Sequence, residues 1–154
     1  MKQTLVRPSL EQDAYELAPR LRKADIDEIA AASGDNPLQA LIRGYEHSYQ
    51  PFTIVVEDKV AGIFGVVPLD SQWVVGAVWL LGSDDIFNVR MPFARQSRLW
   101  IDCVHKPFQI LTNWVDERNS VHIRWLKWCG FKFIARCERF GYRNLPFYEF
   151  VKIK

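Results

Sequence analysis

The stretch NSVHIRWLKWCGF, from Asn119 to Phe131, predicts a short amphipathic helix with both ends specified. Its apolar residues recur at three- and four-residue spacing along one helical stripe, and they are Ile123, Trp125, Leu126 and Trp128. Gly130 is placed to end the helix in a left-handed conformation. Ser120 can cap the start, and the Asn119 side chain is suited to bonding free backbone groups in the preceding loop. The stretch therefore predicts a strand exit, one helix and a glycine stop.

Outward from this helix, the periodicity of the chain predicts an α/β order of elements. We predict strands at about 4–8, 52–57, 60–67, 73–81, 109–115, 131–139 and 147–153, and further helices at about 9–17, 24–32, 37–47 and 93–106. Ser9 and Gln12 have the spacing of a capping box for the first of these helices. The run WVVGAVWLL, from Trp73 to Leu81, is almost continuously apolar, which predicts a central strand covered on both faces.

Composition limits the class of protein. A length of 154 residues fits one domain spanning 1–154, and 49% hydrophobic residues with six Trp and ten Phe indicate a packed globule. No apolar run approaches the roughly 20 residues of a membrane helix, and the first residues, MKQTLVRPSLEQD, lack an apolar signal core.

Three cysteines without a CxxC pair disfavour a zinc knuckle or a disulfide scaffold. The three histidines, His47, His105 and His122, show no metal spacing, so we predict no metal.

Charge is distributed unevenly along the chain. Seven basic residues and one acidic residue lie between Arg118 and Arg143, whereas seven acidic and three basic residues lie between Ser9 and Asn36. The basic residues alternate with phenylalanines, which favours a strand with one solvated face over a nucleic-acid surface. A phosphate-rich small ligand would also suit such a face.

The motif quoted first resembles the segment that closes the acyl-CoA site of GNAT N-acyltransferases, in which a Gly-Phe pair follows an Asn by eleven and twelve residues. Here the residues are Asn119 and Gly130-Phe131. The segment HIRWLKWCGF resembles the corresponding segment of a narrower group, the GNAT-like proteins of short-tailed bacteriophages. Some of these are named internal virion protein A. This resemblance implies a mixed, mostly antiparallel sheet of about seven strands with helices on both faces. It also implies a phage-encoded protein of the virion or the host cytoplasm.

The resemblance also implies a set of site residues around an acetyl-CoA cofactor. The strands at 73–81 and 109–115 would splay apart, and the backbone of Leu80 and Leu81 would face the coenzyme A arm. Arg90, Arg95 and Gln96 would lie at the pyrophosphate, and Asn119 would position the cofactor, although it can equally fix the loop before the helix. Asp84 or Asp85, at the end of the central strand, would be the catalytic base, or both would simply solvate a turn.

Two departures from the family pattern are visible in the sequence. The segment DDIFNVRMPFARQS stands where the family usually has a glycine-rich phosphate loop, and no glycine occurs between Gly82 and Gly130. Leu126 stands where family enzymes often have a tyrosine acid, and a leucine cannot donate a proton.

Two functions therefore remain open. The first is a GNAT-type acetyltransferase acting on an amine of a host protein or small molecule. The second is an inactive GNAT-fold interaction protein, packaged in the virion or redirecting a host factor. A homodimer through the sheet edges is compatible with either function.

Overall fold

The computed structural model of the chain describes residues 3–88 and 90–154, with the backbone alone at residues 87, 88 and 90–94. The strands in this described part are β1 (Thr4–Pro8), β2 (Tyr49–Val56), β3 (Lys59–Pro68), β4 (Val75–Gly82), β5 (Ile110–Asp116), β6 (Lys132–Phe140) and β7 (Leu145–Ile153). The helices are α1 (Glu11–Leu17), α2 (Lys23–Ala32), α3 (Pro37–His47), α4 (Asp84–Asn88), α5 (Arg90–His105) and α6 (Ser120–Trp128). A 3₁₀ turn at Ala18–Arg20 follows α1.

These strands form one sheet in the order β1-β2-β3-β4-β5-β7-β6. The pair β4–β5 is parallel, and the other neighbouring pairs are antiparallel. A parallel pair requires a connection that crosses one face of the sheet, and α4 and α5 provide it. The predicted mixed, mostly antiparallel sheet of seven strands is confirmed.

Helices cover both faces of this sheet, as predicted. Helices α1, α2 and α3 bury Leu17, Ile29 and Leu41 against one face, which contributes Ile63 and Leu81. Helices α5 and α6 bury Ile101, Val104 and Leu126 against the other face, which contributes Phe64, Val66, Val78 and Leu80. Strand β4 is apolar along its whole length because both of its faces are covered.

Two local predictions differ from the structure. The predicted capping box of Ser9 and Gln12 is absent, because the hydroxyl of Ser9 lies 2.7 Å from that of Thr53, and Asp13 instead accepts a 2.8 Å bond from the Leu10 N–H. Helix α5 begins at Arg90 rather than near Phe93. Pro92 then lies in the first turn, where a missing N–H costs no intrahelical hydrogen bond.

Strands β4 and β5 are paired for three residues and then diverge. The pairs are Val75–Ile110, Gly76–Leu111 and Ala77–Thr112. The Val75 carbonyl accepts a bond from Leu69 on the β3 side. Because backbone groups alternate along a strand, the N–H and C=O of Leu81 turn toward β3 and those of Leu80 turn toward β5, into the opening. The resemblance implied this splay.

Within the described residues, no helix is both long and apolar enough to cross a membrane. The same residues contain no group of three His, Cys, Asp or Glu side chains arranged to hold a metal ion.

Candidate active site

A cavity of about 480 Å³ lies where β4 and β5 diverge, on the face covered by α2 and α3. We call it the gap cavity. Its floor is formed by buried side chains of the strands and of α6, namely Val78, Leu80, His122, Phe147 and Phe150. Exposed residues surround its mouth, namely Ser33, which follows α2, and Arg43 and His47 of α3. This volume is within the range of small-molecule sites.

Glu28 is a half-buried carboxyl group in the wall of the gap cavity. Its Oε1 accepts a 2.9 Å bond from the backbone N–H of Asp116 and a 3.3 Å bond from Nδ2 of Asn119. Burial raises the pKa of Glu28 to about 8, the nearby charge of Asp25 adds to the shift, and the two hydrogen bonds oppose it. A carboxyl group with a pKa near neutrality can exchange protons with a bound amine.

Asn119 lies in a buried polar cluster that joins α2 to the ends of β4 and β5. Its Oδ1 accepts a 3.3 Å bond from Arg22, and its Nδ2 donates to Asp25 and Glu28, each at 3.3 Å. Asp25 pairs with Arg22 at 2.8 Å and accepts a 3.1 Å bond from the backbone N–H of Gly82. The Asn119 side chain therefore fixes the loop before α6 against α2, and its hydrogen bonds are directed at protein groups.

His122 is a buried histidine at the floor of the gap cavity. It is 6% exposed, and its Nδ1 has no hydrogen-bond partner in the described part of the structure. Burial lowers the pKa of His122 to about 4, with Arg22 adding to the shift and Asp25 opposing it. The ring is thus neutral at physiological pH and presents one donor and one acceptor nitrogen.

Asn113 holds the two diverging strands apart. Its Nδ2 donates a 2.8 Å bond to the carbonyl of Val78 on β4, and its Oδ1 accepts a 2.8 Å bond from the N–H of Trp114 on β5. The side-chain amide thus stands between two backbone groups that could otherwise bond to each other. Both groups are satisfied while the gap stays open.

The opposite side of the gap, facing α5 and α6, is nearly filled. A space of about 20 Å³ remains there, bordered by Trp100, Trp125 and His122 among others. The Trp125 indole donates a 2.9 Å bond to Ser97 on α5. This space holds about one water molecule, so an extended ligand arm requires these indoles to move.

The two aspartates expected as the base lie outside the gap cavity. Asp84 is exposed at the first residue of α4, and the half-buried Asp85 forms a 3.5 Å ion pair with Arg20. Neither is among the described residues of the cavity wall. The chain turns after β4 to enter α4, and this turn brings the Asp85 carboxylate to Arg20.

The residues expected at the cofactor have different environments. Leu80 directs its backbone into the gap, whereas the backbone of Leu81 faces Ile63 of β3 and its side chain packs among α1–α3. Arg95 is exposed and Gln96 half-buried on α5. The side chain of Arg90 lies outside the described residues. Arg98, nearby on α5, donates a 3.0 Å bond to the Trp128 carbonyl and stacks over its ring at 4.0 Å.

Sequence reasoning missed Glu28, although a signal for it was present. Glu28 and Ile29 follow Asp25 by three and four residues, so both carboxyl groups lie on the side of α2 that buries Ile29. A carboxyl group at a core-facing position is a candidate for a shifted pKa.

The chain matches no protein-family model, and no curated protein matches it by sequence. Solved structures do match its fold. A GNAT-family acetyltransferase from Streptococcus pneumoniae has a TM-score of 0.68 at 15% identity, with 99% of this chain and 100% of that chain covered.

Two further matches were solved with ligands. Spermidine N-acetyltransferase from Vibrio cholerae, in complex with CoA and spermine, has a TM-score of 0.71 at 12% identity, with 98% of this chain and 95% of that chain covered. A putative acetyltransferase from Salmonella typhimurium with its cofactor acetyl-CoA has a TM-score of 0.69 at 16% identity, with coverage of 97% and 93%. At these identities the likeness shows the fold, and the chain has the fold of the GNAT acetyltransferases.

Proposed function

We propose that this chain is a GNAT-type N-acetyltransferase that moves an acetyl group from acetyl-CoA to an amine. The observation that supports this most is the opening between β4 and β5, which leads into a cavity with Glu28 in its wall. A splayed strand pair and a titratable carboxyl group beside it are what an acyl transfer to an amine requires.

The polar groups at the opening between β4 and β5 suit an acyl thioester. The backbone of Leu80 faces the opening, and His122 has an unpartnered Nδ1 at its floor. Arg95 and Gln96 on α5 would meet the phosphates. When bound, acetyl-CoA supplies an activated acetyl group whose bond to sulfur breaks as the amine nitrogen forms the amide. On the side that faces α5 and α6, Trp100 and Trp125 must move apart to admit the coenzyme A arm.

Glu28 acts as the proton acceptor in this proposal. An amine enters the cavity as an ammonium ion and must lose a proton before its nitrogen can attack. The carboxylate of Glu28, which is the dominant form above its pKa of about 8, takes that proton directly or through water. His122, neutral because of its low pKa, positions polar atoms at the cavity floor without adding a charge.

Acetyl-CoA binding and thiol release test the proposal. Acetyl-CoA should raise the melting temperature by mass action, and release of free CoA should depend on an added amine. Glu28→Gln should lower kcat by about 10²- to 10⁴-fold, as expected for loss of a general base. Arg95→Glu should reduce the thermal shift, whereas Arg139→Glu, an exposed arginine on β6, should leave it unchanged.

The second candidate is a GNAT-fold interaction protein without the reaction. The narrow space between α5 and α6 and the absence of glycine between Gly82 and Gly130 favour it. A melting temperature unmoved by millimolar acetyl-CoA, together with no thiol release, would contradict the transferase and leave this candidate.

We further propose, from the resemblance of the HIRWLKWCGF segment, that the chain is phage-encoded and acts in the virion or the host cytoplasm. A host protein would be the partner of the interaction candidate, and a host protein or a small molecule would supply the amine to the transferase. A homodimer would form through the sheet edges, where Leu5 and Ile134 are exposed. Affinity capture from infected cells tests the host partner, and sedimentation of the purified chain tests the dimer.

A further inference from the structure

Aromatic and aliphatic side chains dominate the described wall of the gap cavity. Its rings are Trp79, Trp114, Phe140, Phe147 and Phe150. Trp114 stacks on Phe140 at 4.7 Å, and Phe140 contacts Phe147 at 4.6 Å between ring centroids. The Trp79 indole is held by a 2.7 Å bond to Ser48. Rings held in this way form a preformed apolar surface.

The same described wall has little capacity for several positive charges. Glu28 is its carboxyl group, and its basic residues are Arg43 and His47 at the mouth. Asp35 does not provide a second free carboxylate, because it is already paired with Arg43. A ligand with one ammonium group can place it at Glu28, whereas a second ammonium group would be desolvated without a free carboxylate.

Resting on the proposed function, we infer that the acceptor is a primary amine with a single positive charge, carried on an aromatic or aliphatic group. The apolar group lies against the ring wall, and the ammonium group reaches Glu28. The ammonium proton passes to the Glu28 carboxylate, which becomes a neutral carboxylic acid, and the neutral amine remains at the gap between β4 and β5. Polyamines and aminosugars should be poorer acceptors, because the described wall offers their further charges no free carboxylate.

Phenylethylamine and spermidine are the probes that test this inference. With acetyl-CoA present, thiol release should show a kcat/KM for phenylethylamine at least about tenfold above that for spermidine, the usual scale of discrimination by a single unmatched group. Ala32→Leu and Ala40→Leu each add bulk to the cavity wall from a different helix. Each should lower kcat/KM for phenylethylamine about tenfold, while Ala135→Leu on the exposed face of β6 should not.

Binding without turnover separates the inference from the proposed function. If spermidine is the better acceptor, the inference is overturned and the transferase stands. If neither amine releases thiol but phenylethylamine raises the melting temperature, and Ala32→Leu removes that rise, the transferase fails and the amine site stands. If neither thiol release nor a thermal shift occurs with phenylethylamine, the inference is overturned as well.

Discussion

Glu28 connects the stability of the chain to pH. The polar and charged groups around it are Arg22, Asp25, Asp116, Arg118, Asn119 and His122. Its pKa is about 8 in the folded chain against an ordinary value of 4.5, so between these values the folded state holds a proton that the unfolded chain has released. The free energy of unfolding therefore falls as pH rises through this range.

His122 has the opposite effect over a lower range. Its pKa is about 4 in the folded chain and 6.5 ordinarily, so its contribution to stability is lost as pH falls from 6.5 to 4. The Glu28 effect is thus isolated between pH 6.5 and 8. We expect urea unfolding of the native chain to show decreasing stability across that window. Glu28→Gln, which keeps the acceptor oxygen, should flatten the curve, and an equal slope in both proteins would contradict the assignment.

Asn119 contributes to stability without any ligand. Removing its side chain in Asn119→Ala leaves Arg22, Asp25 and Glu28 with fewer partners in a buried site, which should cost about 1–3 kcal/mol in the free energy of unfolding. The neighbouring exposed Ser120→Ala should change it by less than about 0.5 kcal/mol. Urea denaturation of the ligand-free chain measures both. An unchanged stability in Asn119→Ala would mean that the cluster contributes nothing to folding.

At the level of elements, α3 and β4 meet through a glycine. A Cβ atom on Gly44 would lie 2.6 Å from the Trp79 indole, so the helix approaches the strand closely because this residue has no side chain. The contact places the indole in the wall of the gap cavity and lets it bond to Ser48. A tryptophan on the strand and a glycine on the helix thus determine how closely the two elements approach.

Gly44→Ala should destabilise the chain by about 1–3 kcal/mol from overpacking, even though alanine favours helix by about 1 kcal/mol. Trp79→Phe shortens the ring, so in the double variant the added methyl group should cost less than it does in the native background. Thermal or urea unfolding of the four proteins gives the coupling free energy. Additive effects would show that the helix and the indole do not meet as described.

At the scale of the whole molecule, the gap cavity exists because the sheet contains a parallel pair at its centre. The chain leaves β4, crosses over through α4 and α5, and returns beside β4 as β5, while α1–α3 cover the opposite face. Where the two strands diverge, a space of about 480 Å³ remains beneath α2 and α3. The site is therefore a property of the topology and of Asn113, which keeps the strands apart.

The order of strands and helices and the central position of β4 could be predicted from the sequence. Alternation, helical spacing and Gly130 are local signals, and each acts through the conformation of a few neighbouring residues. The confirmed two-faced sheet follows from apolar patterns that have to be buried on both sides. Errors occurred at element boundaries, such as Ser9 and Arg90, where tertiary hydrogen bonds and a tolerated proline changed the local outcome.

The composition of the site was decided by tertiary structure. Asp25 and Asn119 are 94 residues apart in the chain, yet they bond to each other, and this contact places Glu28 and His122 at one cavity. Asp85, which follows the central strand closely in sequence, pairs with Arg20 outside the cavity, and Asp84 is exposed. Local patterns specify which face of an element is buried, but the register in which distant elements pack determines which side chains meet and how burial shifts their pKa values.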